Sequence, residues 1–389
     1  MKTKTVIPYG RQNIDDGDIQ AVVDVLKSDY LTTGPAIEKF EKLVAEYCGV
    51  KYAVAVTNAT AALQIAAQAL DLKSGDQLWT SPNTFVASAN AAEHTGADAN
   101  FVDIDPTTLN LSAKELEKKL KATPVSERPK IIIPVHFAGQ SCDMKAIAEL
   151  AKQYDFKIIE DAAHAIGSIY DGNKVGSCKY SSMTVFSFHP VKNITTGEGG
   201  MITTNDSELA ERLRELRTIG ITRNPARMSK KSEGPWYYEQ REISSNFRLT
   251  DIGAALGISQ LKRLESFIER RNKIVDRYNT ELADLPLLLP KLVTGERSAW
   301  HLYVIQVQET SKLNRLQLFE ALRERGIGVN VHYIPVHLQP VYRAKGFKAG
   351  DYPNAEKYYS NAISLPIFFE LTDEQQTYVI EQLKELLLN

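Results

Sequence analysis

Cysteine is scarce in this 389-residue chain, and the three present, Cys48, Cys142 and Cys178, are scattered without CxxC spacing. An odd, dispersed set of thiols fits neither a disulfide framework nor a zinc site and points to a reducing compartment. Histidine is sparse too, with seven copies and no HExxH pair, which leaves metal catalysis unsupported and gives the expectation of no bound metal. Neither sign of charge dominates: 46 Lys and Arg stand against 48 Asp and Glu, a net of -2. That balance offers no polyanion-binding face, so nucleic acid is not expected as a partner. No run approaches the ~18 apolar residues of a membrane span, and the opening MKTKTVIPYGRQ lacks the apolar core of a signal peptide. The expectation is a cytoplasmic protein with no membrane partner.

What is present is enough apolar material for large cores, 43% of the residues, in a chain longer than the ~250 to 300 residues at which single cores usually split. Two domains are expected: a large α/β domain over residues 1–255 with an amino-terminal arm, and a smaller α+β domain over 256–389. Through the first two thirds, strand-like runs alternate with helical patterns, as in an α/β sheet. YAVAV (52–56) leads through Thr57-Asn58-Ala59-Thr60 into an alanine-rich helix, which reads as strand, cap, helix. A second such unit runs from Leu78–Ser81 into FVASANAAEHTGA, closed by Gly96. Further strands are expected at Phe101–Ile104, Ile131–Val135, Lys157–Glu160, Met183–Phe188 and Gly200–Thr203. From Leu256 to Leu282 the apolar spacing predicts one long amphipathic helix linking the domains. HLYVIQV (301–307), a helix through Leu316–Arg325 and GIGVNVHYIPVH make up the α+β unit, while the polar stretch Asn224–Ser245 reads as a long loop.

One lysine stands out. In FSFHPVKNITTGEGG (186–200), Lys192 sits on a turn between two strands among Phe188, Pro190, Val191, Ile194 and small residues rather than charged ones. An enclosed amine tends to lose its proton, and a neutral amine is a nucleophile toward carbonyl compounds. If that carbonyl is pyridoxal phosphate, the site also needs an anion cradle, an acid for the ring nitrogen and a flat stacking partner. Asn58-Ala59-Thr60 opens a helix directly after a strand and could cradle a phosphate, or could be an ordinary cap. Asp161 closes the strand KIIED at the carboxyl edge, where ligands bind in open α/β sheets. A carboxylate there gains roughly 4 kcal/mol with a protonated pyridine at an effective dielectric of about 20, or about three pKa units; the alternative is a strand-end cap. His164, Phe85 and Ser187 are candidates for hydrogen bonding, ring stacking and phosphate binding, each with a structural alternative.

The motifs VTNATAAL, SPNTFVASANAA, IEDAAHAIGS, FSFHPVKNITTGEGGM, SSNFRLTDIGAALGISQL and VNVHYIPVHLQPVYR occur in this order, and with them the chain resembles the DegT/DnrJ/StrS family of pyridoxal-phosphate sugar aminotransferases along nearly its whole length. Within the family, IPYGRQNID, SDYLTTGP and HFAGQSCDM look most like the 4-aminotransferases of pseudaminic acid synthesis. The resemblance implies the aspartate-aminotransferase-like α/β fold, fold type I, in homodimers with active sites at the subunit interface. It implies pyridoxal 5'-phosphate held as an imine by Lys192, Asp161 opposite the ring nitrogen, Phe85 stacked on the ring and His164 beside it. Ala59, Thr60 and Ser187 would hold the phosphate, with Asn246 reaching in from the neighbouring subunit. For substrate it points to Tyr9, to Asp29, Tyr30, Leu31 and Thr32, and to His332 and Tyr333. The implied reaction moves an amino group from L-glutamate to the 4-keto carbon of a nucleotide sugar. A pyridoxal-dependent sugar dehydratase would carry histidine in place of Lys192, and a regulator would be expected to add a DNA-binding module.

Overall fold

The computed structural model of the chain describes residues 6–388. The MKTKT segment read above for a leader lies outside them. Helices α1 (Asp16–Leu26) and α2 (Pro35–Cys48) precede strands alternating with helices: β1 (Tyr52–Val56), α3 (Ala59–Ala69), β2 (Gln77–Thr80), α4 (Ala87–Glu93), β3 (Asp98–Phe101), α5 (Ala113–Ala122), β4 (Ile131–Ile133), α6 (Met144–Tyr154) and β5 (Lys157–Asp161). A short hairpin, β6 (Ile169–Tyr170) and β7 (Asn173–Lys174), leads to β8 (Met183–Ser187), β9 (Gly200–Thr204) and α7 (Ser207–Leu216). A ribbon of β10 (Ile221–Thr222) and β11 (Glu239–Gln240) follows, then α8 (Asp251–Leu261) and α9 (Leu264–Glu281). The chain closes with β12 (Leu287–Leu288), β13 (Tyr303–Val307), α10 (Arg315–Glu324), α11 (Pro340–Ala344), α12 (Pro353–Asn361), β14 (Ala362–Leu365) and α13 (Asp373–Leu388).

Among the described residues the main sheet has seven strands in the order β1-β9-β8-β5-β4-β2-β3. All run parallel except β9, which is antiparallel to both of its neighbours. Both faces are covered, as a near-continuous apolar strand requires: Ile131 and Ile133 pack on one side with Ile65, Leu78 and Val185, while Ile132 packs on the other with Trp79, Leu116 and Ile147. A separate core joins Tyr278 of α9, Tyr303 and Ile305 of β13, Leu318 of α10 and Val379 and Leu383 of α13 around the three-stranded sheet β12-β13-β14. No helix among the described residues is long and apolar enough to cross a membrane.

Three expectations need correction. The predicted linking helix is two, α8 and α9, parted at Lys262–Arg263. Arg263 takes the cap position of α9 (φ -103°, ψ -2°), and its guanidinium is held by Asp18, by Asp15 (3.1 Å) and by Asn13 Oδ1 (2.5 Å). Two intervening residues leave the apolar spacing nearly in phase, so the pattern does not reveal the joint. The strand expected at Phe101–Ile104 instead ends at Phe101, because its single partner β2 runs out: Val102 N makes the last bond, to Thr80 O (2.9 Å), before Pro82, which has no amide hydrogen. The expected loop 224–245 returns as β11 against β10, pairing Ile221 with Gln240 and Thr222 with Glu239.

Candidate active site

Because β1, β2, β4, β5 and β8 run parallel, their carboxyl ends share one edge, and a cavity of about 600 Å³ opens there, within the range of small-molecule sites. Ala59, Thr60, Phe85, Asp161, His164, Ser187, Lys192, Tyr9, His332 and Tyr333 all line it. At its base α3 begins. Asn58 is extended and its side chain accepts from Ala61 N at 2.8 Å, while Ala59 and Thr60 contribute first-turn amides that have no intrahelical acceptor. Gly200 on β9 backs this terminus so closely that a Cβ there would lie 2.6 to 2.8 Å from Asn58 C and O and Ala59 N. Only glycine allows that approach, and the open amides and helix dipole suit an anion.

Asp161, at the end of β5, is 5% exposed. Its Oδ2 accepts from Ser88 Oγ at 2.6 Å and its Oδ1 from Ala163 N at 3.1 Å, and Ser88 in turn meets Thr84 Oγ1 at 2.8 Å. Both oxygens are thus fixed in direction by the chain itself. Lys192 lies on the β8–β9 connection, where its amide closes a turn onto His189 O (2.9 Å). Burial brings its amine down from 10.5 to about 8, against the opposing pull of Asp161. At pH 7 about one amine in ten is then neutral, against about one in three thousand at the ordinary value.

His164 Nδ1 accepts from Ala138 N (3.2 Å), so its proton sits on Nε2, which faces Tyr333 Oη at 3.1 Å. Burial, then Lys192 and His332, hold its pKa well below the usual imidazole range. The Tyr333 hydroxyl is pushed up by burial and by Asp161 and Tyr9. His332 is pinned between Ser364 Oγ (2.7 Å) and Asn330 Nδ2 (3.3 Å) and is lowered to about 4 by burial and by Lys192. Tyr9 packs its ring 5.5 Å from that of His332. Phe85 precedes α4, is 58% exposed, and offers its ring to the cavity 6.2 Å from Tyr333.

Five sequence-predicted residues stand outside the cavity. Asp29, Tyr30, Leu31 and Thr32 are exposed on the connection between α1 and α2, tied down by Asp251 N to Leu31 O (3.0 Å) and by a bridge from Thr32 to Thr250. Asn246 is exposed as well, although Phe247 beside it accepts the Thr57 amide at 2.8 Å. Two cavity neighbours were not anticipated. Ser88 is a fully buried serine in an otherwise alanine-rich turn of α4, a hydroxyl that an apolar face does not need. His301 precedes β13 and places Nε2 3.4 Å from Lys192 Nζ; it is the polar residue at the head of the apolar run LYVI.

This arrangement fits pyridoxal phosphate on the chain's own terms: an anion cradle that a Cβ would fill, a fixed carboxylate, an exposed flat ring and an amine of lowered pKa share one cavity. The profile of the DegT/DnrJ/EryC1/StrS aminotransferase family matches residues 12–384. The chain belongs to this family. It is 41% identical to the spore coat polysaccharide biosynthesis protein SpsC of Bacillus subtilis over 99% of this chain and 98% of that one. It is 37% identical to a UDP-4-amino-4,6-dideoxy-N-acetyl-beta-L-altrosamine transaminase of Campylobacter jejuni, covering 98% of each. Among solved structures, the sugar aminotransferase Spr1654 of Streptococcus pneumoniae in its PMP form superposes with a TM-score of 0.90 at 32% identity, covering 98% of each chain. Helicobacter pylori PseC, an aminotransferase of pseudaminic acid biosynthesis, gives 0.89 at 31% identity over 99% of this chain and 100% of that one. The large mixed sheet with its smaller α+β partner is the fold type I architecture of the pyridoxal-phosphate aminotransferases.

Proposed function

We propose that this family member transfers the amino group of L-glutamate to the 4-keto carbon of UDP-2-acetamido-2,6-dideoxy-beta-L-arabino-hexos-4-ulose, giving UDP-4-amino-4,6-dideoxy-N-acetyl-beta-L-altrosamine in pseudaminic acid biosynthesis. The observation that carries the chemistry is the shared cavity of Lys192 and Asp161 above the open amino terminus of α3. The sugar rests on the relatives that carry that activity and belong to that pathway. We place it in the cytoplasm and read it as a homodimer; the exposed apolar side chains of Ile19, Leu26, Tyr30 and Leu31 support the association.

In this reading Ala59, Thr60 and Ser187 hold the phosphate of pyridoxal 5'-phosphate, with Asn246 supplied by the neighbouring subunit. Asp161 would pair with the ring nitrogen, and Phe85 and His164 would contact the ring. When bound, the cofactor supplies an electron sink for the pair left when a proton departs from the carbon bearing the nitrogen. Lys192 Nζ moves the protons, taking one from the α-carbon of glutamate and giving one to carbon 4 of the sugar. Its lowered pKa lets the same amine serve as base and acid near neutral pH. Asp161, held by Ser88 and Ala163, keeps its charge directed at the ring nitrogen without reorganising during the reaction. Tyr9, His332 and Tyr333, which line the cavity, together with Asp29–Thr32, are assigned to the sugar nucleotide.

A second reading is amino transfer to a different 4-keto nucleotide sugar, favoured by the 41% identity to a protein of spore coat polysaccharide biosynthesis. A panel of UDP- and dTDP-linked 4-keto sugars with glutamate, followed by mass spectrometry, separates the two. The expected result is the highest kcat/KM for the UDP-N-acetyl 6-deoxy 4-keto sugar. Preference for a dTDP sugar or for UDP-4-keto-arabinose overturns the substrate, and no amino sugar from any of them overturns the activity.

A further inference from the structure

His301 is 4% exposed, and only one of its ring nitrogens is used. Nε2 faces Lys192 Nζ at 3.4 Å, while Nδ1 is buried with no hydrogen-bond partner among the described residues. Two other buried histidines are held at both nitrogens. His136 engages Glu160 (2.7 Å) and Cys142 N (3.1 Å), and His332 engages Ser364 and Asn330. His337 also leaves Nδ1 unpartnered, but Glu356 holds its Nε2 at 3.0 Å. A structural histidine tends to satisfy its polar atoms, because a buried one left unsatisfied is destabilising. His301 forgoes that and directs its one engaged nitrogen at the reactive amine.

We propose that His301 is a positioning residue for Lys192, its Nε2 accepting a hydrogen bond from Nζ and so fixing where the amine collects and delivers protons. This rests on the reading of Lys192 as the amine that carries the cofactor. To accept, the imidazole must be uncharged, and its surroundings keep it so. Besides burial, the largest influences on the ring are Lys192, His164, Arg271 and His332, and each disfavours a positive charge on it; the carboxylate in the same cavity, Asp161, is engaged by Ser88 and Ala163. Arg271 of α9 is buried, and its Nη1 is held by the carbonyls of Trp300 (3.1 Å), His301 (3.3 Å) and Ile367 (3.1 Å) rather than by a carboxylate. The same guanidinium therefore clamps the backbone of His301 and opposes a second positive charge on its ring. The ring also lies 4.4 Å, centroid to centroid, from His164, so the amine, the two imidazoles and Tyr333 form one contiguous polar strip across the cavity wall.

The test uses cofactor-free protein mixed with pyridoxal phosphate, following the growth of visible absorbance from pH 6 to 10, with borohydride fixation and peptide mapping to identify the lysine. Attack needs the free amine, so the wild-type rate climbs with pH and levels near the amine's pKa. His301→Leu takes the acceptor from the ammonium, the proton leaves more easily, and the midpoint falls by about one pH unit. His301→Gln, which restores an acceptor oxygen, brings the midpoint back toward wild type. His301→Phe keeps the ring volume without a nitrogen and is expected to behave like leucine, so it decides the matter if leucine is not tolerated. Unchanged or raised midpoints in the leucine and phenylalanine variants overturn the proposal. A label on a lysine other than Lys192 overturns the reading beneath it, and the proposal falls with it.

Discussion

Asp161 and Asn246 are polar side chains on extended backbone, and the chain treats them in opposite ways. Asp161 has both oxygens occupied, by Ser88 and Ala163, and is almost fully enclosed. Asn246 is exposed, and its Oδ1 accepts from the Arg248 amide at 3.4 Å. The same contrast separates His332, fixed at both nitrogens, from Asp29–Thr32, an exposed segment held through its backbone atoms. Under the proposed function, the groups that must be aimed before a ligand arrives are satisfied within one chain, and the exposed ones would be completed by a neighbouring subunit. Preorganisation of this kind is what makes a charge effective in an enclosed site.

The largest effect that sharpens the comparison is expected at Asp161 itself. Asp161→Asn keeps the shape and removes the charge, and losing roughly 4 kcal/mol of ring-nitrogen stabilisation corresponds to about a thousandfold fall in kcat. Single-turnover kinetics with glutamate check it, and a fall of less than about tenfold breaks the assignment. Ser88→Ala is the smaller, more discriminating case, because it leaves the carboxyl in place and removes one of the two donors that aim it. A hydrogen bond to a charged group is worth about 1.5 to 3 kcal/mol, so pyridoxal phosphate affinity or kcat should fall about ten- to a hundredfold with the fold retained by circular dichroism. Unaltered kinetics would mean that Ala163 alone directs Asp161.

The contrast also marks what could be read from the sequence. Strand ends with a cap or a carboxylate, such as Val56 into Asn58 and KIIED into Ala162, betray the sheet edge because backbone geometry dictates which residue types suit those positions. Lys192 was legible from its uncharged neighbours. Ser88 was not, since a single serine in an alanine-rich helix carries no period and its purpose lies 73 residues away in Asp161. His301 lies 109 residues beyond Lys192 and enters the pocket by tertiary packing alone. The α8–α9 joint was hidden for another reason: Arg263, at the cap of α9, pairs with Asp15 and Asp18 at the start of α1, an ion-pair demand that an apolar pattern does not register.

The smallest expected effect tests the open side of the comparison. If Asn246 serves the neighbouring subunit's pocket, Asn246→Ala weakens phosphate binding by one hydrogen bond to an anion, about a tenfold loss. That figure alone does not say which chain is served; mixing does. Lys192→Ala protein has no working amine, so in a mixed dimer with Asn246→Ala the only live pocket belongs to the Asn246→Ala chain. In the shared arrangement that pocket borrows an intact Asn246 from its partner and runs at full rate. Random reassortment of equal amounts then gives about a quarter of wild-type activity, against about a twentieth if Asn246 acts within its own chain. Recovery near the lower figure removes Asn246 from the neighbouring pocket, and with it the reason offered here for its exposure.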